Sequence, residues 1–369
     1  MTRIVKAALF PAMLLAGLTA ATPSWASHSG HSHGSGYVQT NLVSNGTISA
    51  MTTDANLVNS WGLAFFPGTP FWIADNGKGV TTLYDGQGTP EPAGMPLVVT
   101  IPPPKGSTAM SAPTGAIPNM AVGQFILPTS NQPALFLFDT EDGTISGWNL
   151  ADGTMAELVV DNSSSGAVYK GLAMGVNPSG VFLYATNFHA GTVDVFDSKF
   201  QPASLNGSFT DANIPSGFAP FGIANINGNL FVTYAMQDSD KHDPMAGPGN
   251  GFVDVFDTNG NLIQRFASHG KLNSPWGIAE APFNFGRFST DILVGNFGDG
   301  TINAFETDDA HFRGQLNGTS GKTIMIDGLW ALAFGGALNS DPGTLYFTSG
   351  PNKEADGLFG SLAPQQQSK

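Results

Sequence analysis

Apolar residues along this chain fall mostly into runs of four or five, partly alternating with polar positions and ending in Gly, Asn or Asp. That is the pattern of half-buried β-strands punctuated by turns, and no amphipathic helix stands out. The pattern also recurs. Trp61-Gly62-Leu63-Ala64-Phe65 returns as Trp276-Gly277-Ile278-Ala279 and as Trp330-Ala331-Leu332-Ala333-Phe334. Weaker copies lie at Thr114-Gly115-Ala116, Lys170-Gly171-Leu172-Ala173 and Phe221-Gly222-Ile223-Ala224. The aligned positions 62, 115, 171, 222, 277 and 331 step by 53, 56, 51, 55 and 54 residues. Six copies at so steady a period denote a repeat architecture, one supersecondary unit per copy.

Each copy continues with two more strand signals. The first reads Phe71-Trp72-Ile73-Ala74, Leu135-Phe136-Leu137-Phe138, Leu183-Tyr184-Ala185-Thr186, Leu230-Phe231-Val232-Thr233, Ile292-Leu293-Val294-Gly295 and Leu345-Tyr346-Phe347-Thr348. The second includes Val193-Asp194-Val195-Phe196 and Val253-Asp254-Val255-Phe256. β-branched and aromatic residues suit a pleated surface, and Asp85-Gly86, Asp152-Gly153 and Asn259-Gly260 supply turns. A fourth, outer strand is expected in five repeats, as in Leu97-Val98-Val99-Thr100-Ile101, whereas the sixth runs into a polar Gln365-Gln366-Gln367 tail. Tyr37 to Val43 is then a strand left over, and docking it on the last blade closes the ring and covers an edge. The predicted fold is all-β: a six-bladed β-propeller of four-stranded antiparallel blades over residues 37–362, closed by an N-terminal strand.

Composition adds to this at the ends and on the surface. Arg3 and Lys6 precede an apolar run from Ala7 to Ala21, and Ser24-Trp25-Ala26 offers a small-x-small cleavage site. Residues 1–26 therefore read as a secretory signal peptide, since the run falls short of the roughly 20 apolar residues that span a bilayer. A flexible His/Gly/Ser-rich tract follows over 27–36, and a polar tail over 363–369. The expected location is secreted or periplasmic, without membrane insertion. Cysteine is absent, so burial alone holds the fold. With 28 acidic against 14 basic residues the formal charge is -14, which repels phosphate backbones, and nucleic acid is not an expected partner.

Particular stretches carry a family resemblance: Asn59-Ser60-Trp61-Gly62-Leu63-Ala64, Asn187-Phe188-His189-Ala190-Gly191-Thr192-Val193-Asp194, Asp240-Lys241-His242-Asp243, Ser274-Pro275-Trp276-Gly277 and Val294-Gly295-Asn296-Phe297-Gly298-Asp299-Gly300. In these the chain resembles the six-bladed NHL-repeat and SMP-30/gluconolactonase-like propellers. More narrowly, it resembles a family of uncharacterised secreted six-bladed β-propeller proteins. The resemblance covers essentially the whole mature chain and implies the fold. In the lactonase-type relatives Glu, Asn and Asp hold a metal at the tunnel mouth. Here no Glu stands at the start of the first inner strand, where Ser60 and Trp61 lie.

Antiparallel four-stranded blades bring the loops after each second strand to one mouth of the central tunnel. What all six loops share is structural, and what one has alone is a candidate for function. The loops open as Asp75-Asn76-Gly77, Asp139-Thr140-Glu141-Asp142-Gly143, Asn187-Phe188-His189, Gln237-Asp238-Ser239-Asp240, Asn296-Phe297-Gly298-Asp299 and Ser349-Gly350-Pro351-Asn352. Asn187 and Asn296 suit tight turns, and their carbonyls also suit a hard cation. His189 stands where a sister loop carries Gly298, so the turn does not demand an imidazole. The fourth loop is the longest and carries Asp238, Asp240, Lys241, His242 and Asp243 before a stiff Pro244 to Gly251 stretch, which reads equally as a binding loop or a solvated insertion. The candidate ligand-binding set is Asp75, Asn76, Glu141, Asn187, His189, Asp238, Asp240, Lys241, His242, Asn296, Asp299 and Asn352.

Three functions fit these residues. A binding propeller would present the charged mouth to a small molecule, glycan or protein, with Trp61, Trp276 and Trp330 either walling the site or packing the core. A metal-assisted hydrolase or lactonase would hold a divalent cation such as Ca²⁺ on Asp75, Asn187, Asn296 or Asp299, with His189 or His242 as the catalytic candidate that moves the proton. A scaffold would have no defined small ligand. Gly30-His31-Ser32-His33-Gly34 matches a nucleophile elbow only in letters, because no strand precedes it.

Overall fold

The structure, a computed structural model, describes residues 36–365. The stretch expected to be a signal peptide, the His-rich tract before Gly36 and the tail beyond Gln365 lie outside the described residues. Six antiparallel sheets follow one another around a ring. Blade 1 is Ser60–Ala64, Phe71–Asp75, Val80–Tyr84 and Val98–Thr100. Blade 2 is Pro113–Pro118, Phe136–Thr140, Thr144–Trp148 and Glu157–Asp161. Blade 3 is Tyr169–Asn177, Gly180–Asn187 and Thr192–Asp197, and blade 4 is Phe218–Ile226, Asn229–Met236, Phe252–Phe256 and Leu262–Ser268. Blade 5 is Pro275–Glu280, Ile292–Asn296, Ile302–Phe305 and Phe312–Gln315. Blade 6 takes Leu329–Phe334, Leu345–Ser349 and Leu358–Pro364 from one end of the chain and Tyr37–Ser44 from the other. The closing pair runs antiparallel from Tyr37↔Pro364 to Ser44↔Leu358, with the short Thr52–Thr53 strand parallel to it outside. Among the described residues the helices are single 3₁₀ turns, and none is long and apolar enough to cross a membrane.

Blade 3 departs from the expectation of an outer strand in each of the first five repeats: it has three strands. After Asp197 the chain turns tightly on that residue, with Asp197 N–H to Gln201 C=O at 2.9 Å, and returns to the third strand through a Phe196↔Pro202 bridge and an Ala203 N–H to Val195 C=O bond of 2.8 Å without forming a fourth strand. Pro202 has no N–H with which to extend a ladder. The segment turns away instead, so that Phe209 packs between Tyr184 and Phe256 at 5.5 and 5.4 Å.

Burial between neighbouring blades holds the ring together. Each of the six blade interfaces has its own hydrophobic cluster, for example Trp72, Phe136, Phe138 and Trp148 between blades 1 and 2. The recurring Gly explains how the inner strands come so close. A Cβ on Gly62 would meet the Ala116 nitrogen at 2.5 Å, and one on Gly115 the Leu172 nitrogen at 2.6 Å. In every blade the inner strand bulges at this residue and the one before it. The residue facing the bulge is Ala74, Asp139, Thr186, Thr233, Gly295 or Thr348. Its side chain, where it can, ties the irregular backbone: Thr233 Oγ1 accepts from Gly222 N at 2.8 Å, and Thr186 Oγ1 donates across to Phe221 C=O at 2.6 Å. Backbone groups of these bulges are thereby satisfied where the facing residue is polar.

Candidate functional site

The residue just before each recurring Gly forms a ring about the axis: Trp61, Thr114, Lys170, Phe221, Trp276 and Trp330. Trp61 stacks on Trp330 at 3.3 Å between ring centroids, and Trp276 meets both edge-on at 5.8 and 5.7 Å. Phe221, Phe188 and Phe297 complete the layer. Two indole N–H groups pin it, Trp276 to Lys170 C=O at 2.7 Å and Trp330 to Asn59 Oδ1 at 3.1 Å. The three tryptophans are thus a packed floor and not walls open to ligand, with Trp61 and Trp330 at most 1% exposed. Beneath this floor a cavity of about 310 Å³ is lined by Leu63, Ile117, Leu172, Ile223 and Leu332. It reaches Pro118, Met120 and Met174, at the end of the disc away from the loops.

Above the floor lies the charged mouth, centred on Lys170. Its side chain is 1% exposed and its ammonium stands 5.3 Å over the Trp61 ring. The ammonium pairs with Glu141 from blade 2 and, at 3.4 Å, with Asp243 from the long blade 4 loop. Burying a lysine requires such partners. The second Glu141 oxygen accepts from Asn76 Nδ2 at 2.8 Å, Asn76 Oδ1 accepts from Asn59 Nδ2 at 3.0 Å, and Asn59 donates also to Glu354 Oε2 at 2.8 Å. Glu354 comes from a run of three residues in the left-handed region, Asn352, Lys353 and Glu354 at φ 56°, 56° and 67°. None is Gly, so each carries strain that surrounding bonds must offset, among them Asn352 N to Asp327 Oδ2 at 2.8 Å. Burial, and then the nearby Glu141 charge, push the Glu354 carboxyl above its usual range.

The long loop is a tight hairpin. Gln237 bridges Pro244, Asp238 N–H donates to Asp243 C=O at 2.9 Å, and His242 N–H donates to Asp238 Oδ1 at 2.9 Å. Gln237 Nε2 reaches across to Phe188 C=O at 2.5 Å, which ties this loop to the loop carrying His189. His242 Nδ1 lies 2.8 Å from Asp243 Oδ1. That bond raises the His242 pKa and holds the Asp243 carboxyl down at about 2. Asp142, beside Glu141, is raised by burial.

No protein-family model matches the chain. An uncharacterized protein of Acanthamoeba polyphaga mimivirus is 34% identical over 335 residues, spanning 88% of this chain and 80% of its own length. A second from the same virus is 32% identical, over 88% and 85%. This chain belongs to the family of those viral proteins. Among solved structures, a glucose dehydrogenase superposes with a TM-score of 0.52 at 11% identity, covering 89% of this chain and all (100%) of its own. A streptogramin B lyase does so with a TM-score of 0.50 at 10% identity, covering 90% and 99%. At such identities the likeness is one of propeller fold.

The family's propeller places the expected residues as follows. Asn76, Glu141 and His242 stand in the charged mouth together with Asp243, which lay in the predicted loop. His189 is half-buried on the adjacent rim. Asp238 caps its own hairpin, and Asp240 and Lys241 are exposed on it. Asp75 is fully buried between strands, where Ser60 and Thr82 hydroxyls occupy both oxygens at 2.8 and 2.7 Å. Asn187 accepts from Val168 N and Ala190 N and donates to Asp194, all within blade 3 and its adjoining loops. Asn296 and Asp299 are likewise bound to each other and to Thr301 and Asn273. Asn352 is exposed at the start of the strained run. The residues expected to hold a cation, Asp75, Asn187, Asn296 and Asp299, are therefore spread over blades 1, 3 and 5, each engaged locally. A different set converges: ligand atoms of Glu141, His242 and Asp243 all lie within 4.8 Å of one another.

Lys170, Asn59 and Glu354 were not singled out from the sequence. Lys170 had a signal, because it puts a charge where the other repeats carry Trp, Thr or Phe. Glu354 had none, since of Asn352, Lys353 and Glu354 only the Asn is a residue that favours the left-handed region.

Proposed function

We propose that this chain is a ligand-binding propeller of the extracytoplasmic space, whose charged mouth takes a small hydroxyl-rich molecule such as the end of a glycan. The observation that carries this is the buried Lys170, held by carboxylates from two other blades over a closed floor. Pockets that select ligands have few, convergent polar groups. Here Lys170, Asn59 and Asn76 donate while Glu141, Glu354 and Asp243 accept. A sugar hydroxyl does both and answers such a mixture, whereas the surplus of carboxylates disfavours an anion. The aromatic floor is buried, so recognition is polar and not by stacking.

Titration calorimetry against a panel of mono- and oligosaccharides tests the reading. Glu141→Gln and Asp243→Asn should each weaken the best ligand by tenfold or more. Binding untouched by both changes, or none across the panel, removes the mouth as the site. The signal-peptide layout of residues 1–26 supports export, and N-terminal sequencing of the mature protein should begin at Ser27.

A second reading has one observation in its favour, the convergence of Glu141, His242 and Asp243. A divalent ion on them would polarise a carbonyl while His189 moves a proton. Metal analysis followed by a lactone and ester panel addresses it. Protein with neither stoichiometric metal nor turnover rules it out.

A further inference from the structure

Two carboxylates and an imidazole converge at the mouth, a donor set suited to zinc more than to calcium, which prefers oxygen alone. The same two carboxylates already hold a positive charge. Lys170 Nζ contacts both Glu141 and Asp243, while His242 Nδ1 sits 2.8 Å from the Asp243 oxygen that the ammonium approaches. The lysine is not a mobile neighbour. It is 1% exposed, its carbonyl is pinned by the Trp276 indole at 2.7 Å, and its ammonium faces the Trp61 and Phe188 rings at 5.3 and 6.0 Å. Nor does the propeller need a charge there, because the same place holds Trp61, Thr114, Phe221, Trp276 and Trp330 in the other blades.

We propose that Lys170 is a tethered cation that fills a latent zinc site formed by Glu141, His242 and Asp243, so that the native mouth works without metal and removing the lysine side chain opens the site. A divalent ion and the ammonium cannot share these oxygens, since like charges a few ångströms apart in a partly buried place repel strongly. The proposal holds whichever ligand the mouth takes, and it decides between the two readings of function above.

The experiment is zinc titration of the full mature chain by calorimetry and thermal unfolding. Wild type is compared with Lys170→Thr, which copies blade 2, and with Lys170→Met, which keeps the apolar stem. Wild type and each lysine variant are paired with the same protein carrying His242→Ala, which retains the His28, His31 and His33 tract and so subtracts any binding there. The expected result is one zinc per lysine variant with at least a hundredfold tighter binding than its His242→Ala partner, and a midpoint of unfolding raised by zinc only in the lysine variants. A variant that folds only in zinc-supplemented medium also supports the proposal. Wild type that takes up one zinc lost on His242→Ala overturns it, as does zinc-independent folding of both lysine variants without a gained site.

Discussion

One peptide bond separates two rings that behave in opposite ways. The inner ring, Gly62, Gly115, Gly171, Gly222, Gly277 and Ala331, is nearly uniform because adjacent inner strands approach so closely that backbone atoms fill the space a side chain would need. The ring before it, Trp61, Thr114, Lys170, Phe221, Trp276 and Trp330, obeys no such limit and differs blade by blade. Uniformity marks what the architecture demands. Variation, and above all the buried charge of Lys170, marks where the architecture leaves room for something else. The same contrast separates the six repeated interface clusters from the blade 4 hairpin, which has no counterpart in the other blades.

The largest effect should come from breaking the uniform ring. Gly62→Val drives a side chain into the Ala116 nitrogen and the Thr114 oxygen at 2.5 and 2.6 Å, and neither backbone atom can yield. A loss of about 3 kcal/mol or more is expected in denaturant unfolding. Next comes the position facing the two rings, Thr in three blades but Asp139 in blade 2. Asp139 is fully buried, one of its oxygens has no partner among the described residues, and burial raises its pKa to about 7. Because the folded pKa lies above the unfolded one, stability falls as pH rises from about 4 through 7. Asp139→Thr should remove that slope, matching wild type near pH 4 and exceeding it by a few kcal/mol at pH 8 in paired unfolding curves. A slope that survives the substitution shifts the cause to Asp75, also raised by burial. The smallest effect belongs to the hairpin. Asp243→Asn should drop the His242 pKa back toward its ordinary range, read by NMR titration. It should change stability by less than about 1 kcal/mol, because the His242 and Asp243 side chains are 46% and 66% exposed.

Repeats made the fold legible. Six copies gave the blade count, and a strand signal at each end gave the closure seen between Tyr37–Ser44 and Leu358–Pro364. Blade 3 was misread because Pro202 and Phe200, which has a φ of 62°, interrupt a run that otherwise looks strand-like. At the mouth, the His242 hairpin was visible as a departure from the common loop, whereas Asn76 and Glu141 were candidates only by standing in the mouth loops. Asp75, Asn187, Asn296 and Asp299 look like ligands in letters, yet their hydrogen-bonding capacity goes to their own turns and strands. Composition cannot distinguish a carboxylate that serves its turn from one that faces a cavity, since only bond partners differ.

The splice in blade 6 reverses the usual order of assembly. Tyr37–Ser44 leaves the ribosome before every other described strand, yet its seat beside Leu358–Pro364 exists only after all six blades have been made. Until then an eight-residue ribbon with buried Leu42 and Val43 must stay out of wrong pairings. Once seated, Gln365 N–H bonds to Gly36 C=O at 2.9 Å, so the two ends of the ring meet. A circularly permuted gene that opens the chain between blades 1 and 2 should rebuild the same disc with an unbroken sixth sheet.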